Sequence, residues 1–181
     1  SFSYDDRAER IVGEAVSPTY FTVLGVRPLI GQGFSPAVQQ GEWAPEAVLS
    51  YGFWARRFGA DPAVIGRTIR LNTVAFTIVG VSPPGFTGLT RGSDFELRVP
   101  LLPEGRQLPQ MRLIATDGWV ISAARLAPGV NRAQAEAAAS AQLREFLRTT
   151  PVRRFRESGL RALRVRPGAH GRDEMLQPFH T

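Results

Sequence analysis

The chain has 181 residues and a formal net charge of +6, and all 22 of its lysine-or-arginine positions are arginine. Hydrophobic residues make up 43% and charged residues 21%, a balance that is typical of a globular domain and argues against intrinsic disorder. Disulfides and thiolate metal sites are excluded because there is no cysteine, and no apolar run reaches the roughly 20 residues that a membrane-spanning helix needs.

The arginines are scattered among acidic residues and form no run interleaved with stacking aromatics. We therefore interpret them as solvated charge, of the kind that an arginine-rich composition produces, and we expect no nucleic-acid partner. An anion-binding arginine surface is the alternative interpretation of the same composition.

The first part of the chain predicts one strand and one helix. The strand covers Arg10–Val16. Ser17 is placed to cap the helix with Pro18 at its first position, and Gly25 ends it. The next two segments are predicted to lack regular structure: an irregular segment at Arg27–Phe34 and a polar loop at Ser35–Pro45.

The middle of the chain predicts short strands separated by capped helical turns. Ser50 caps a helix that Gly59 ends, and Asp61 opens a single turn that Gly66 closes. Alternating apolar residues predict a hairpin. The predicted strands are Ala47–Leu49, Thr68–Leu71, Val74–Val81 and Asp94–Leu101.

A loop rich in proline and glycine, Ser82–Gly92, carries two bulky apolar residues, Phe86 and Leu89. The simpler interpretation is that both side chains plug the core. Apolar side chains on such a loop also make them candidate partner contacts.

The last third predicts a strand, a helix and a second strand. Asn131 caps the helix Arg132–Leu147, and Gln134 stands at the capping-box position. The flanking strands are Trp119–Leu126 and Leu160–Val165, and a polar tail comes after them. The change from strand-rich units to strand-helix-strand predicts an α/β (α+β) fold with two lobes.

No constellation of residues supports catalysis. The two histidines, His170 and His180, lie in the tail, no nucleophile stands beside a base, and no acidic cluster has metal-ligand spacing. Gly31-Gln32-Gly33 lacks the third glycine of a dinucleotide-binding loop and indicates backbone bends instead. The sequence therefore predicts no catalytic, cofactor-binding or metal-binding residues, no cofactor and no enzymatic activity.

Several segments carry a resemblance in the same order and spacing. The chain resembles the MacB-like periplasmic core domain of ABC transporter permeases, most closely the acidobacterial-type permease group. The resemblance covers about residues 10–170. The segments that carry it are Val16–Pro28, Leu49–Gly59, Asp61–Asn72, Phe76–Phe86 and Ala124–Val130.

The resemblance implies a domain on the periplasmic, extracytoplasmic face of the bacterial inner membrane, between the first and second transmembrane helices. The implied lobes are a porter-like lobe and a small strand-rich lobe inserted into it. The expected division is a first, incomplete part of the porter-like lobe at 1–34, the inserted lobe at 35–110, the second part of the porter-like lobe at 111–166 and a juxtamembrane tail at 167–181.

The resemblance also implies a function and partners. The domain is expected to couple ATP-driven motion of the membrane helices to substrate export or to the handling of lipoproteins or efflux partners. The implied partners are the parent transmembrane helices and a cytoplasmic ATPase subunit or domain, with a periplasmic adaptor or a second permease copy as further candidates. A stand-alone module that binds a small ligand or an anion is the alternative.

Two positions depart from the family pattern. Asn72-Thr73 stands where Asn-Gly is common in the hairpin turn, and Arg98 stands where tryptophan often precedes the Val-Pro pair.

Overall fold

The structure is a computed structural model that describes residues 2–4, 7–40, 42, 44–72, 74–91, 94–101, 122–149, 165–167 and 172–173. These residues belong to two compact units. One comprises Ser1–Arg112 with Gly171–Thr181, and the other comprises Leu113–His170.

The first unit is a mixed sheet with short helices. Its strands are β1 Phe2–Tyr4, β2 Arg7–Glu9, β3 Gly13–Val16, β4 Ile30–Gly31, β5 Glu46–Leu49, β6 Thr68–Leu71, β7 Val74–Val81, β8 Thr90–Arg91, β9 Leu97–Pro100 and β10 Arg172–Asp173. Its helices are α1 Tyr20–Leu24, α2 Pro36–Gln39 and α3 Tyr51–Phe58, with a 3-10 turn at Pro62–Val64.

Eight of these strands form one sheet, in the order β2-β1-β6-β7-β5-β9-β3, with β4 also paired to β7. The β5–β7 and β3–β9 pairs are parallel and the other pairs of this sheet are antiparallel. The predicted α/β class is confirmed.

The sheet carries apolar residues on both faces because its central strands alternate between two cores. On the first face, Ala47 and Leu49 of β5 pack with Phe53 and Trp54 of α3. On the second face, Val48 packs with residues of α1 and α2 and with two other apolar side chains: Val16, Tyr20, Phe21, Phe34 and Val38. Alternate residues of one strand therefore contribute to different cores.

The helix α3 begins and ends where the sequence predicts. The Ser50 side chain accepts a hydrogen bond from the Phe53 amide at 3.1 Å, and Gly59 ends the helix at a positive φ of 61°. The predicted turn is also confirmed, because Asp61 caps it by accepting from the Ala63 amide. The hairpin β6–β7 is confirmed with Leu71 opposite Val74.

Other local predictions are wrong in detail. The helix α1 begins at Tyr20 rather than after Ser17, because Ser17 to Tyr20 form a turn in which the Ser17 carbonyl accepts from the Tyr20 amide. The segment predicted to be irregular contains β4. The predicted loop contains α2, capped by the Ser35 hydroxyl with Pro36 at its first position.

Four predicted strand ends also move, one of them by a single residue, since β5 begins at Glu46 rather than Ala47. The strand predicted at Arg10–Val16 is confined to β3, and the one predicted at Asp94–Leu101 is confined to β9. The tail contains a strand that the sequence did not indicate: β10 pairs in parallel with β8.

The described part of the second unit is dominated by the helix α4, Arg132–Thr149, which confirms the predicted helix. Its capping box is formed: Gln134 accepts from the Asn131 amide, and Asn131 accepts from the Gln134 amide. Four of its less exposed apolar residues follow an i, i+4 spacing: Ala135, Ala139, Leu143 and Leu147. The Phe146 side chain is exposed.

The strands predicted on either side of α4 fall mostly outside the described residues. In the described parts, 122–126 and Val165 have no regular structure. The Val165 amide donates to a Glu136 carboxylate oxygen at 2.9 Å. Across the helices that the structure describes, none is long and apolar enough to cross a bilayer.

The four-segment division of the chain stays a prediction. In the described residues, β3 and β4 of segment 1–34 lie in the same sheet as the strands of segment 35–110.

Candidate functional site

An arginine occupies the interior of the sheet at β9. Arg98 follows Leu97 and precedes Val99, both of which belong to the first core. Strand alternation therefore turns the Arg98 side chain to the opposite face. It is 1% exposed there and is the largest of the fully buried side chains in the described residues.

The register of the sheet supplies the charge partner of this arginine. Glu14 on β3 stands directly opposite Arg98 in the parallel β3–β9 pair. Arg98 Nε donates to a Glu14 carboxylate oxygen at 2.8 Å, and the Glu14 side chain is 20% exposed. The ion pair is thus buried at the guanidinium and open to solvent at the carboxylate, which lowers the cost of removing the charges from water.

Three aromatic rings surround the guanidinium. Its carbon lies 4.9 Å from the centre of the Phe86 ring, 5.8 Å from that of Tyr20 and 5.8 Å from that of Phe95. Each ring face attracts the delocalised positive charge. The cation is therefore stabilised by one carboxylate and by rings from three different segments of the chain.

The segment Ser82–Arg91, which we name the strap, crosses this site. At its start the Ser82 amide donates to the Leu49 carbonyl at 2.8 Å. At its centre the Thr87 carbonyl accepts from Arg98 Nη2 at 2.8 Å. At its end Thr90–Arg91 form β8 and pair with β10.

Glycine permits the close approach of the strap to Arg98. Gly88 has a positive φ of 90°, and a Cβ atom placed on it would lie 2.6 Å from Arg98 Nη2 and 2.6 Å from the Tyr20 hydroxyl oxygen. Gly85 also has a positive φ, of 77°, but a Cβ atom there would meet nothing within 4 Å. The positive φ therefore favours glycine at both positions, but only at Gly88 would a larger residue also collide with Arg98.

The site also contains unpaired polar atoms. Among buried side-chain atoms in the described ranges, Arg98 Nη1, the Tyr20 hydroxyl and the Ser82 hydroxyl have no hydrogen-bond partner. Each such group costs about 1–3 kcal/mol relative to a satisfied one.

The environment of Tyr20 changes its acidity. Burial raises the pKa of the Tyr20 hydroxyl above its ordinary value, and the negative charge of Glu14 raises it further. The Arg98 guanidinium and the Leu89 amide lie near enough to oppose part of that rise, although neither meets hydrogen-bond geometry. The hydroxyl is therefore held neutral to a higher pH than in the unfolded chain.

The two candidate contact residues lie at this site. Phe86 and Leu89 are half-buried and pack against the second core. The Phe86 ring also lies 6.3 Å from Tyr20 and 6.2 Å from Phe21 between ring centres. Both side chains therefore help to hold the strap down, and their contact with a partner stays a proposal.

Beside α1 lies an open groove of about 450 Å³. It is lined by two aromatic rings, four polar or charged side chains and four other residues: Phe21, Thr22, Gly25, Val26, Arg27, Pro28, Gln32, Gly33, Phe34 and Gln39. Of the two glycines in Gly31-Gln32-Gly33, Gly33 lines the groove. Gly31 takes a positive φ of 69°, which bends the chain against β7.

Several described arginines are in ion pairs. The pairs other than Arg98–Glu14 are Arg56 with Glu9 and Glu96, Arg57 with Glu9, Arg67 with Asp61, and Arg148 with Glu145. Within the described ranges no three metal-ligating side chains cluster. His170 and His180 lie outside those ranges.

Sequence reasoning did not single out Arg98, Glu14, Tyr20 or Gly88 as members of one site. One signal pointed toward it: a lone arginine within an apolar strand, at a position where the family pattern often has tryptophan. The partner of the arginine could not be found in this way, because it lies 84 positions away along the chain.

The comparisons with known proteins agree with the architecture. A family model described as the MacB-like periplasmic core domain matches residues 1–142. The periplasmic region of MacB from Actinobacillus actinomycetemcomitans superposes with a TM-score of 0.53 at 16% identity, over 80% of this chain and 61% of that one. No curated protein matches the chain.

A second solved structure shares less. The extracellular domain of the noncanonic ABC-type transporter YknZ from Gram-positive bacteria gives a TM-score of 0.42 at 17% identity, over 55% of this chain and 48% of that one. The chain thus spans less than two thirds of either solved domain. Because the family model covers most of the sequence, the chain belongs to the MacB-like periplasmic core domains, the extracytoplasmic domains of ABC transporter permeases.

Proposed function

We propose that this domain transmits ATP-driven motion of the parent membrane helices to the periplasmic side, without catalysing a reaction itself. The motion would serve export of a substrate or the handling of a lipoprotein or an efflux partner. The ATPase subunit or domain and the membrane helices of the parent are the partners that the family implies.

One observation carries this proposal: an early strand and a late strand of the chain meet the same short segment. The third strand, β3, pairs with β9 at Leu97–Pro100, and the last described strand, β10, pairs with β8 at Thr90–Arg91. In the family pattern, membrane helices flank the domain on both sides. A displacement of one helix relative to the other would therefore load the segment between β8 and β9.

The strap is the part of the domain best suited to respond. It connects β7 to β8, it is fixed at its start by a backbone hydrogen bond to β5, and it carries Phe86 and Leu89. We propose these two side chains as the contact with a periplasmic adaptor or a second permease copy, formed when the strap moves away from the sheet.

A disulfide across β8 and β10 tests transmission. Thr90 and Arg172 are register partners, and the domain itself contains no cysteine. The double variant Thr90→Cys/Arg172→Cys in the reconstituted parent permease, with its ATPase, should hydrolyse ATP several-fold more slowly when oxidised and recover when reduced. The expected reason is that a covalent bridge prevents the two strands from separating.

The matched control places a bridge in a pair that has no link to the tail. Arg70 and Ala75 are register partners in the β6–β7 hairpin, and both side chains are exposed. Oxidation of Arg70→Cys/Ala75→Cys should leave ATP hydrolysis unchanged. If oxidation has equal effects on both variants, or no effect on either, transmission through β8 and β10 is refuted.

The membrane side of the proposal has its own test. In the reconstituted parent, a spin label at position 179 should report proximity to lipid, whereas a label at Trp54, which lies in the first core, should not. A label at position 179 that stays far from lipid would contradict the role of the tail as a connector to the second membrane helix.

The alternative, a binding module for a small ligand or an anion, is favoured by the groove beside α1, since Arg27 is among the residues that line it. Titration of the chain with inorganic phosphate and with short carboxylates, followed by the chemical shifts of the Arg27 and Gln32 amides, distinguishes the two functions. Saturable shifts confined to the groove would support the module.

A further inference from the structure

We propose that the ion pair between Arg98 and Glu14, together with the hydrogen bond from Arg98 to Thr87, forms a latch that holds the strap against the second core. Opening of this latch is the local step that exposes Phe86 and Leu89 to solvent and to a partner. The use of this step for partner contact rests on the proposed function. The latch itself is a property of the chain alone.

The geometry makes Arg98 the central attachment of the strap. The two ends of the strap are held by backbone hydrogen bonds, to Leu49 and to β10. Its centre is held through the guanidinium, which donates to the Thr87 carbonyl and faces the Phe86 ring. A change in the position of this side chain would therefore remove the polar attachment of the centre, leaving only the apolar contacts of Phe86 and Leu89 with the second core, while both ends stay attached.

The backbone on either side of that attachment is suited to bending. Gly85 and Gly88 bracket Phe86 and Thr87, and both adopt a positive φ. Glycine can leave such a conformation and return to it at little steric cost, which is why hinges often use small residues. The two glycines thus delimit a short segment that can lift without disturbing β7 or β8.

Solvent reaches the latch from one side only. Arg98 is 1% exposed, whereas the Glu14 side chain is 20% exposed. Glu14 also belongs to β3, which lies at the edge of the sheet and pairs with β9. Because the carboxylate is attached to β3, a shift of β3 along β9 would move the carboxylate away from the guanidinium and weaken the hold on Thr87.

The test uses the cysteine-free chain with one reporter thiol, Leu89→Cys, on the half-buried inner side of the strap. Its reaction rate with a thiol reagent under native conditions measures how often the strap opens. The substitution Gly88→Ala adds a Cβ atom 2.6 Å from Arg98 Nη2, keeps both charges, and should raise the reaction rate at least about tenfold, as expected for the loss of a hydrogen bond to a charged group.

The matched control is Gly85→Ala. It has a similar positive φ in the same strap, but its Cβ atom would meet nothing within 4 Å. It should raise the rate several-fold less than Gly88→Ala does, since the backbone penalty of an alanine at positive φ is common to both variants and only Gly88→Ala adds the contact with Arg98. Arg98→Leu should reproduce the effect of Gly88→Ala, because it removes the donor to Thr87.

Amide hydrogen exchange of β5 and β7 in the same samples separates local from global opening. The proposal predicts faster thiol reaction with unchanged exchange in these two strands. Equal rates for Gly88→Ala and Gly85→Ala would overturn the latch, and so would a parallel rise in thiol reaction and core exchange. These measurements involve neither membrane nor ATPase, so a failure here is distinct from a failure of the disulfide test in the parent permease.

Discussion

The ion pair between Arg98 and Glu14 gives an asymmetric prediction for stability. Glu14→Ala leaves a guanidinium that is 1% exposed without its carboxylate. Removing one partner of a buried pair costs about 3–5 kcal/mol. We expect about 3 kcal/mol here, at the lower end of that range, because the Thr87 carbonyl and three aromatic rings still contact the cation.

Removing the arginine should cost less. Arg98→Leu removes the cation and leaves behind the Glu14 carboxylate, which is 20% exposed and can still be solvated, so the charge left without its partner is the less buried one. We expect a change of less than about 1.5 kcal/mol, with some loss from the smaller volume of leucine. The double variant should then be more stable than Glu14→Ala alone, by at least about 1.5 kcal/mol.

Urea unfolding followed by tryptophan fluorescence measures the stability of the wild type, both single variants and the double variant, and Trp54 in the first core is one of the three tryptophans that contribute to the signal. Glu14 makes contacts beyond Arg98, so the coupling energy from the double-mutant cycle is the quantity to compare, rather than either single effect. Glu14→Gln, which keeps an acceptor but loses the charge, should fall between wild type and Glu14→Ala. A coupling energy near zero would refute the ion pair as the partner of the buried cation.

Three further tests, two of them with a matched control substitution, concern the fold and the chemistry around the site. Ser50→Ala should lower the free energy of unfolding by about 1 kcal/mol by removing the cap of α3. The control Ser17→Ala, at a position whose hydroxyl caps no helix, should stay within about 0.5 kcal/mol of wild type. The midpoints of urea unfolding measure both effects, and equal shifts would contradict the cap. Gly31→Ala places a Cβ atom 2.2 Å from a backbone oxygen and should cost more than about 3 kcal/mol, whereas Gly66→Ala, which meets nothing within 4 Å, should cost about 1–2 kcal/mol; similar losses would contradict the close approach of β4 to β7. Burial raises the pKa of Tyr20 above its ordinary value of 10.0, so as pH rises the unfolded chain loses this proton before the folded chain does. The free energy of unfolding should therefore fall as pH rises from the ordinary pKa of tyrosine through the folded-state pKa. Tyr20→Phe should remove this part of the decline, and a pH profile that is unchanged by the substitution would contradict the raised pKa.

Local capping chemistry made part of the fold predictable. Ser50, Asp61 and Asn131 are each followed by residues that their side chains cap, and the corresponding helices or turn form as expected. The same capping pattern gave a wrong prediction at Ser17, because the Ser17 carbonyl, and not its hydroxyl, accepts the hydrogen bond from the Tyr20 amide that forms the turn before α1. Capping residues therefore identify a helix more reliably than they identify its first residue.

Contacts between distant segments could not be predicted. The pairing of β10 with β8 involves two residues in a tail without apolar alternation, and nothing in that composition indicates a strand. The Arg98 site likewise depends on the register of β3 against β9, which a sequence pattern cannot supply. The one indication of this site in the sequence was an arginine, Arg98, between apolar residues of the same strand.

The distance along the chain between β3 and β9 also bears on how the domain folds. Glu14 and Arg98 are separated by 84 positions, whereas β6 and β7 form a local hairpin. Closing a long loop costs entropy that must be met before its contacts form, so the hairpin and α3 should form early and β3 should dock late. An interaction made after the rate-limiting barrier changes the rate of unfolding more than the rate of folding. The Arg98–Glu14 ion pair would then slow unfolding: its loss would raise the unfolding rate, and so shorten the lifetime of the folded domain, while leaving the folding rate nearly unchanged.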